Sequence, residues 1–539
     1  MTQGVISGGH PDTIAAGAAI LQQGGNAVDA AVAATFAACV VEVGLVSMGG
    51  SGIAQIYDPN AANEAKRSIV YDFFSNMPGL GAADRPGKMD FAKVMIDFGA
   101  TTQDFHVGRA SVAVPGNFFG LCQMAADYGR LSLATLLQPA IQLAQNQFTL
   151  DPFQAFACQL LTPIMTYTPD MATIFAAKGT VASGGDRLFI PDLAEMLREL
   201  ADAGESLLRN GRLAQAVVAD QQTNGGLLTA TDLASYQVGK MPPIRIPYHG
   251  HEVLLPPPSS TGGVLTAFTL KLMNRFNVSQ WEHGSAPHLQ ILYELMATTA
   301  EARPVWDKAV ESSSTGDELL QAVAAFLDDD FVSGYANRIA DNLRQKRPSS
   351  PPVEPLGPRN TTHLSVIDAN GMMVSLTHSA GETAGYVVPK TGFIPNNMLG
   401  EADLHPQGFH TRPAGRRIPT MMTPTVILQN GVPRMAIGSG GSIRIRSAIL
   451  QTVSNLLDYK MTLQEAVDSP RVHVEDGTLQ CEGGYDETAV SQLEALGYPV
   501  NRWQDRSMYF GGAHTVSRTA NGRLVGAGDK RRAGVTILV

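Results

Sequence analysis

Asn360-Thr361-Thr362-His363-Leu364-Ser365-Val366-Ile367-Asp368-Ala369-Asn370-Gly371-Met372-Met373-Val374-Ser375-Leu376-Thr377-His378 is the stretch that decides the fold. Polar and apolar residues alternate from Thr361 to Asp368, Asn370-Gly371 is a hairpin turn signal, and Met372 to His378 reads as the returning strand. The preceding run, Arg347-Pro348-Ser349-Ser350-Pro351-Pro352-Val353-Glu354-Pro355, is too proline-rich to continue a helix or a central strand. A threonine that opens a core strand after such a loop is a place where a chain can cut itself. The cut would give Thr361 a free α-amine beside its own hydroxyl, and that amine can serve as the hydroxyl's general base. The competing reading is a threonine-rich strand start with no chemistry. With a two-residue turn at Asn370-Gly371, residue 362 faces 379 and 364 faces 377. Ser379 then returns beside Thr361, with facing Cβ atoms about 5 Å apart.

Downstream, Gly438-Ser439-Gly440-Gly441-Ser442 separates the strand around Arg434 to Ile437 from a helix beginning near Ile443. Ser442 suits the N-cap, and backbone N–H groups there are potential oxyanion donors. A phosphate cradle or a purely structural turn are the alternatives, although neither a P-loop nor a dinucleotide fingerprint is present. Glu382, Glu401 and Asp403 are acids that could hold a substrate ammonium. The twelve histidines fall in no zinc spacing, so neither metal nor organic cofactor is expected.

The 539-residue chain is 44% hydrophobic and 16% charged, with net charge −10, which describes a well-buried globular protein. Lys346-Arg347 and Lys530-Arg531-Arg532 read as solvated surface, so nucleic acid is not an expected partner. The four cysteines form no ligand pair and no disulfide framework. Met1 to His10 lacks a secretory pattern, and the longest apolar stretch, Ala30 to Val41, is too short to span a bilayer. A cytoplasmic protein without membrane contact is therefore expected.

Helices are expected over Asp12 to Gln23, Ala27 to Val41, Asn117 to Tyr128, Leu131 to Asn146, Leu188 to Leu200, Leu207 to Gln221, Val264 to Arg275 and Ile443 to Tyr459. Strands are expected over Ile53 to Tyr57, Ser68 to Phe74 and His251 to Leu255, with hairpins at 361–378 and 423–438. Helices concentrated in the first two thirds, with strands in both halves, point to stacked α and β layers.

Several stretches together resemble the γ-glutamyltransferase family of self-processing N-terminal nucleophile hydrolases. They are His10-Pro11, Gly24-Gly25-Asn26-Ala27-Val28-Asp29-Ala30-Ala31-Val32-Ala33-Ala34, Gly49-Gly50-Ser51-Gly52, Val114-Pro115-Gly116 and Pro256-Pro257-Pro258-Ser259-Ser260-Thr261-Gly262-Gly263. Asn360-Thr361-Thr362-His363, Asn396-Asn397-Met398, Met422-Thr423-Pro424-Thr425 and Gly438-Ser439-Gly440-Gly441-Ser442 follow in the family's order. The resemblance implies an α+β, four-layer αββα sandwich and autocatalytic cleavage between Asn360 and Thr361. The products would be a large fragment, 1–360, and a small one, 361–539, which together form one core; a homo-oligomer is compatible with this. It also implies attack by the Thr361 hydroxyl on a γ-glutamyl amide such as glutathione. Thr377 or Ser379 would supply the second active-site hydroxyl, and Gly440 and Gly441 the oxyanion glycines.

The departures bear on the substrate. Asp72-Phe73 is followed by Phe74 where the family has its carboxylate-binding arginine, and Thr420-Met421 replace the paired serines. Met398 stands at the glutamine position after Asn397, with Glu401 or Asp403 as the nearest acid. The stretch from Asp403 to Arg417 is short, which implies a missing lid. Arg109, Arg416 and Arg417 are the candidates to replace the lost arginine. The small amide substrate is thus a γ-glutamyl compound, or another small acyl amide of the oxamate, glutaryl or cephalosporin-side-chain type. A homologue that has lost catalysis and only binds is the alternative from another class.

Overall fold

The computed structural model describes residues 3–82, 87–97, 102–313, 315–352, 360–405 and 407–539. The expected proline-rich lead-in at Val353-Glu354-Pro355 lies outside these residues. The quoted stretch forms two adjacent antiparallel strands, Thr362–Asp368 and Met373–Ser379, in the middle of a seven-stranded sheet. Both strands are buried on both faces, so the polar–apolar alternation does not mark a solvent face. Leu364, Val366, Val374 and Leu376 pack into a core with the helices Pro11–Gln22 and Ala27–Val41. The opposite face, with His363, Ser365, Ser375 and Thr377, meets a second sheet. There Ser375 Oγ donates to Ile437 O at 2.9 Å and Ser365 Oγ to His514 O at 3.0 Å. Buried hydroxyls with partners of this kind avoid the cost of desolvation without a bond.

The register differs by one residue from the two-residue-turn expectation. Thr362 pairs with His378 and His363 with Thr377. The turn spans Ala369, Asn370 and Gly371, with Gly371 at φ +85°, where a side chain would be strained. Asp368 fixes it by accepting the N–H groups of Asn370 and Met372 on Oδ1. Because strand faces alternate, a one-residue shift reverses which side chains share a face.

The first sheet runs Val535–Leu538, Gly4–Gly8, Thr362–Asp368, Met373–Ser379, Ser51–Tyr57, Ser68–Phe73 and Gly239–Met241 in spatial order. The second, six-stranded, runs Leu524–Ala527, Gly512–Arg518, Val432–Gly440, Thr425–Gln429, His251–Leu255 and Ile244–Tyr248. Val5, Tyr57, Ile367 and Met373 of the first sheet share a core with Leu254, Val426, Ala436 and Val516 of the second. A further core joins the second sheet to the helices Thr261–Met273, Ala286–Ser312 and Arg444–Leu457. All fifteen residues of Ala27–Val41 are buried; its alanines permit close approach, and an Asn26–Asp29 capping box starts it.

The expected helix from Leu188 begins instead at Leu193, after Pro191 and a left-handed Asp192. The expected Leu207 to Gln221 helix is two, Ser206–Arg209 and Arg212–Thr223, broken at Asn210-Gly211. Among the described residues, no helix is long and apolar enough to cross a membrane. All four cysteines are free; Cys122 is half-buried and the others buried.

Candidate active site

Thr361 sits immediately before the strand Thr362–Asp368, 5% exposed. The corrected register places Ser379 next to it. Ser379 Oγ donates to the Asn360 carbonyl oxygen at 2.6 Å and accepts the Gly381 N–H at 2.9 Å. Asn360 is anchored from the other side, its Nδ2 donating to Gly44 O at 3.0 Å. The carbonyl of the Asn360–Thr361 peptide bond is therefore fixed and polarised by a hydroxyl. Thr377 does not share this role: its Oγ1 bonds His363 Nδ1 at 2.8 Å in the space between the sheets. His363 is held neutral there, since burial and the neighbouring histidines push its pKa well below the usual value.

The strand Val432–Gly440 ends against Thr361. A Cβ on Gly440 would lie 2.1 Å from Thr361 O, so only glycine allows this approach. Gly441 follows at φ +122° and Ser442 at φ +55°. Ser442 is not the N-cap; that position is Ile443, and Ser442 Oγ donates instead to Asp403 Oδ2 at 3.2 Å.

Thr361 and Ser379 line a cavity of about 30 Å³ with Phe74, Met398, Glu401, Leu404, Thr420, Met421, Met422, Ser442 and Ile445. The loop 256–263 braces one wall. Ser260 Oγ donates to Met422 O, Gly262 N–H to Thr420 O, and a Cβ on Gly262 would come within 2.2 Å of Met421 O. A surface hollow of about 600 Å³ along Pro11–Gln22 and Leu133–Asn146 is larger, but Asp12 is its one ionisable lining residue.

The arginines expected to replace the missing carboxylate ligand are engaged elsewhere. Arg109 pairs with Asp220 at 3.2 Å and Asp90 at 3.4 Å and lies over the Tyr386 ring. Arg416 donates to the carbonyls of Val310 and Ser313. Arg417 donates to Phe74 O and Tyr236 OH, with Asp72 Oδ1 at 3.5 Å. None of the three lines the cavity. Asn397 does not line it either; its side chain accepts the Glu382 N–H and donates to His106 O, shaping the loop behind Glu401. Glu401, Thr420 and Met421 are on its wall, while Asp403 is on the wall of the neighbouring cavity. Of the short segment 403–417, Leu404 is in the cavity wall and His410 Nε2 is bonded to Ala110 O at 2.8 Å.

Two groups escaped the sequence reading. Arg531 and Arg532, read as solvated, are buried. Arg531 is neutralised by Glu482 at 2.6 Å and Asp529 at 3.2 Å. Arg532 Nη1 donates to Thr361 O at 3.3 Å, and burial lowers its pKa to about 10. Glu42, fully buried behind the strand start, accepts Thr13 Oγ1 at 2.7 Å and also bonds Thr362; burial pushes its pKa up. Apart from Asp529, two residues before Arg531, their partners lie far away in sequence, so little that is local marks these residues. Among the described residues, no group of three His, Cys, Asp or Glu side chains is placed to hold a metal ion.

The family model described as Gamma-glutamyltranspeptidase matches residues 13–539. The chain belongs to the gamma-glutamyltranspeptidase family. It is 32% identical over 542 residues to the Acylase ACY 1 proenzyme of Pseudomonas sp. (strain V22), covering 100% of this chain and 94% of that protein. It is 28% identical over 556 residues to the Glutathione hydrolase proenzyme of Bacillus subtilis (strain 168), covering 99% and 91%. The crystal structure of cephalosporin acylase from Bacillus halodurans matches with a TM-score of 0.82 at 23% identity, covering 99% of this chain and 96% of that one. At that identity the likeness carries the fold alone: mixed helix and sheet of the kind these family members share. As a family member the chain is an enzyme of the hydrolase and transferase kind.

Proposed function

We propose that this protein cuts itself between Asn360 and Thr361 and then cleaves small acyl amides through an acyl-enzyme on Thr361. The observation that carries this reading is the 2.6 Å hydrogen bond from Ser379 Oγ to the Asn360 carbonyl oxygen. It places a donor on the oxygen that gains negative charge when the peptide bond is attacked. The Thr361 hydroxyl adds to the Asn360 carbonyl carbon, the C–N bond breaks, and the departing nitrogen takes the proton. Water then hydrolyses the resulting ester, leaving an Asn360 carboxylate and a Thr361 with a free amine and hydroxyl. In the mature protein that amine accepts the hydroxyl proton during attack on the substrate amide and returns a proton to the leaving amine. The N–H groups at Gly440 and Gly441 support the acyl oxyanion, and water or an acceptor amine releases the acyl group.

The fold reads as a four-layer αββα sandwich, supported by the shared core between the two sheets and a helix-backed core outside each. The two fragments, 1–360 and 361–539, stay together because their strands interleave. Gly4–Gly8 is hydrogen-bonded between Thr362–Asp368 and Val535–Leu538.

For the acyl group, we favour one without an amino-acid head. The wall around Thr361 offers six apolar side chains and no arginine, and an unpaired buried carboxylate would be costly. Similarity to an acylase proenzyme supports this choice. A γ-glutamyl group is the second reading, favoured by Glu401 on the wall as a partner for its ammonium. The test is a denaturing gel with N-terminal sequencing. Wild-type protein should give two bands, the smaller beginning Thr-Thr-His-Leu, and Thr361→Ala should stay a single chain. Intact wild-type protein that cleaves amides would overturn the reading.

A further inference from the structure

A second cavity, about 20 Å³, lies directly beyond the one that holds Thr361. The two share Leu404, Thr420 and Met421 as a common wall. The Thr361 side is mostly apolar, whereas the far side brings together Arg303, Arg412, Asp307, Glu311 and Asp403. Each carboxylate there has a partner. Asp307 is bound by Arg303 at 3.3 Å, Asp403 accepts the Ser442 hydroxyl, and Glu311 sits at the exposed rim and accepts Gln407 Nε2. Arg412 is different. It is half-buried, and Glu311 and Asp307 act on it through their charge without a hydrogen bond. Burial lowers its pKa and Arg416 adds to that; the charges of Glu311 and Asp307 only partly offset the two. A partly desolvated guanidinium in this state is favourably placed to receive an anion, because a planar carboxylate can accept two parallel charge-assisted bonds from it.

We infer that Arg412 determines specificity by binding a carboxylate at the far end of the acyl chain, while Arg303 holds Asp307 away from it in an ion pair. This rests on the proposed amide-cleaving role of Thr361. The acyl carbonyl would sit against Thr361, its methylenes against Met398, Met421 and Leu404, and its terminal carboxylate would pass the shared wall to reach Arg412. At about 30 and 20 Å³ each cavity admits little more than a water molecule. Entry of such a chain therefore joins the two, and the adaptable side chains of Met421 and Leu404 are the parts that give way. The missing arginine at Phe74 is thus replaced by one on the opposite side of the pocket, suited to an acyl group with its carboxylate at the tip and no α-amine.

The experiment uses processed protein and four p-nitroanilides: succinyl, glutaryl and adipyl with free terminal carboxylates, and the methyl ester of the glutaryl compound. Wild type, Arg412→Ala and Arg412→Lys are compared, each checked for both fragments on a denaturing gel. For at least one free acid, wild-type kcat/KM should exceed that of the ester roughly 10- to 100-fold, the range of a charged hydrogen-bonded contact. Arg412→Ala should erase that preference by raising KM for the acid while leaving the ester unchanged, and Arg412→Lys should recover part of it. Free glutarate should also inhibit wild-type ester hydrolysis competitively, and far better than monomethyl glutarate, a check that needs no variant. Equal turnover of acids and ester by wild type, or an equal loss on both in Arg412→Ala, overturns the subsite while leaving Thr361 chemistry standing. Wild type that stays uncut, or cleaves none of the four, removes the subsite together with the reading beneath it.

Discussion

Ser379→Ala isolates the contact on which the proposed self-cleavage rests. In the folded chain the Ser379 hydroxyl donates to Asn360 O at 2.6 Å, and the Asn360 side chain is itself tied to Gly44. Attack by Thr361 turns that carbonyl oxygen into an oxyanion, so the bond strengthens as the transition state is approached. Removing one such donor costs about 3 kcal/mol, or roughly a hundredfold in rate at 1.36 kcal/mol per decade. The variant also strips the Gly381 N–H of its acceptor, a loss of about 1–3 kcal/mol in stability. That cost acts on the folded state, and a melting curve measures it separately. The assay is the fraction of uncut chain on a denaturing gel against time after rapid purification. Thr361→Ser serves as a control that retains a nucleophilic hydroxyl. A half-time for Ser379→Ala within threefold of wild type, with the fold intact, would show that the hydroxyl does not stabilise the cleavage oxyanion.

Gly440→Ala places a methyl group where Thr361 O now lies, 2.1 Å from the built Cβ. Displacing the nucleophile by about 1 Å should lower the activity of processed protein about a hundredfold, mostly in kcat; an unchanged kcat would show that Thr361 has room to move. Asp529→Asn removes the carboxylate that pairs with Arg471 at 2.7 Å and Arg531 at 3.2 Å. Unpairing buried charge should cost about 3–5 kcal/mol, measured by denaturant unfolding in a Thr361→Ala background so that unfolding stays unimolecular. The neighbouring arginines hold the Asp529 carboxyl well below the usual carboxylate range. Its contribution is therefore fully present above about pH 4, the unfolded value, and is lost as pH falls below that. Asp529→Asn should flatten the acid limb of the stability curve, and a limb as steep as the parent's would refute the assignment.

Local signals in the sequence were reliable where the responsible residues are close together. Ala27–Val41, Asn117–Tyr128 and His251–Leu255 have the bounds expected from capping and periodicity. Where a breaker sits inside an apolar pattern, the bounds shifted: Pro191-Asp192 delays one helix and Asn210-Gly211 splits another. The long helices Ala286–Ser312 and Asp329–Gln345 were not read at all. The first contains Pro304 and the second is polar along much of its length. Asn370-Gly371 correctly marked a turn, but its length was set by Asp368 capping two N–H groups, which the dipeptide does not encode.

The candidate site divides along the same line. Thr361, Ser379 and Gly440 were legible because a strand opening, its hairpin partner and a glycine turn each have a short signature. The role of an arginine depends on which acids the fold brings to it. Arg109, Arg416 and Arg417 were the candidates in the sequence and Arg412 was not singled out, yet the fold gives Arg109 two aspartates, Arg416 two backbone carbonyls, and Arg417 backbone carbonyls, the Tyr236 hydroxyl and Asp72. Their donors are thereby engaged away from the cavity. Arg531 and Arg532 show the converse: in a basic triplet that resembles surface only Lys530 is exposed, while Arg531 is folded against Glu482 and Asp529 and Arg532 against the carbonyls of Thr361 and Met508. On the proposed reading, the amide-cleaving apparatus is written in contiguous motifs, whereas the choice of acyl group depends on pairings between distant residues. The acyl group could then change with the arginine left to bind an anion, while every motif around Thr361 stays intact.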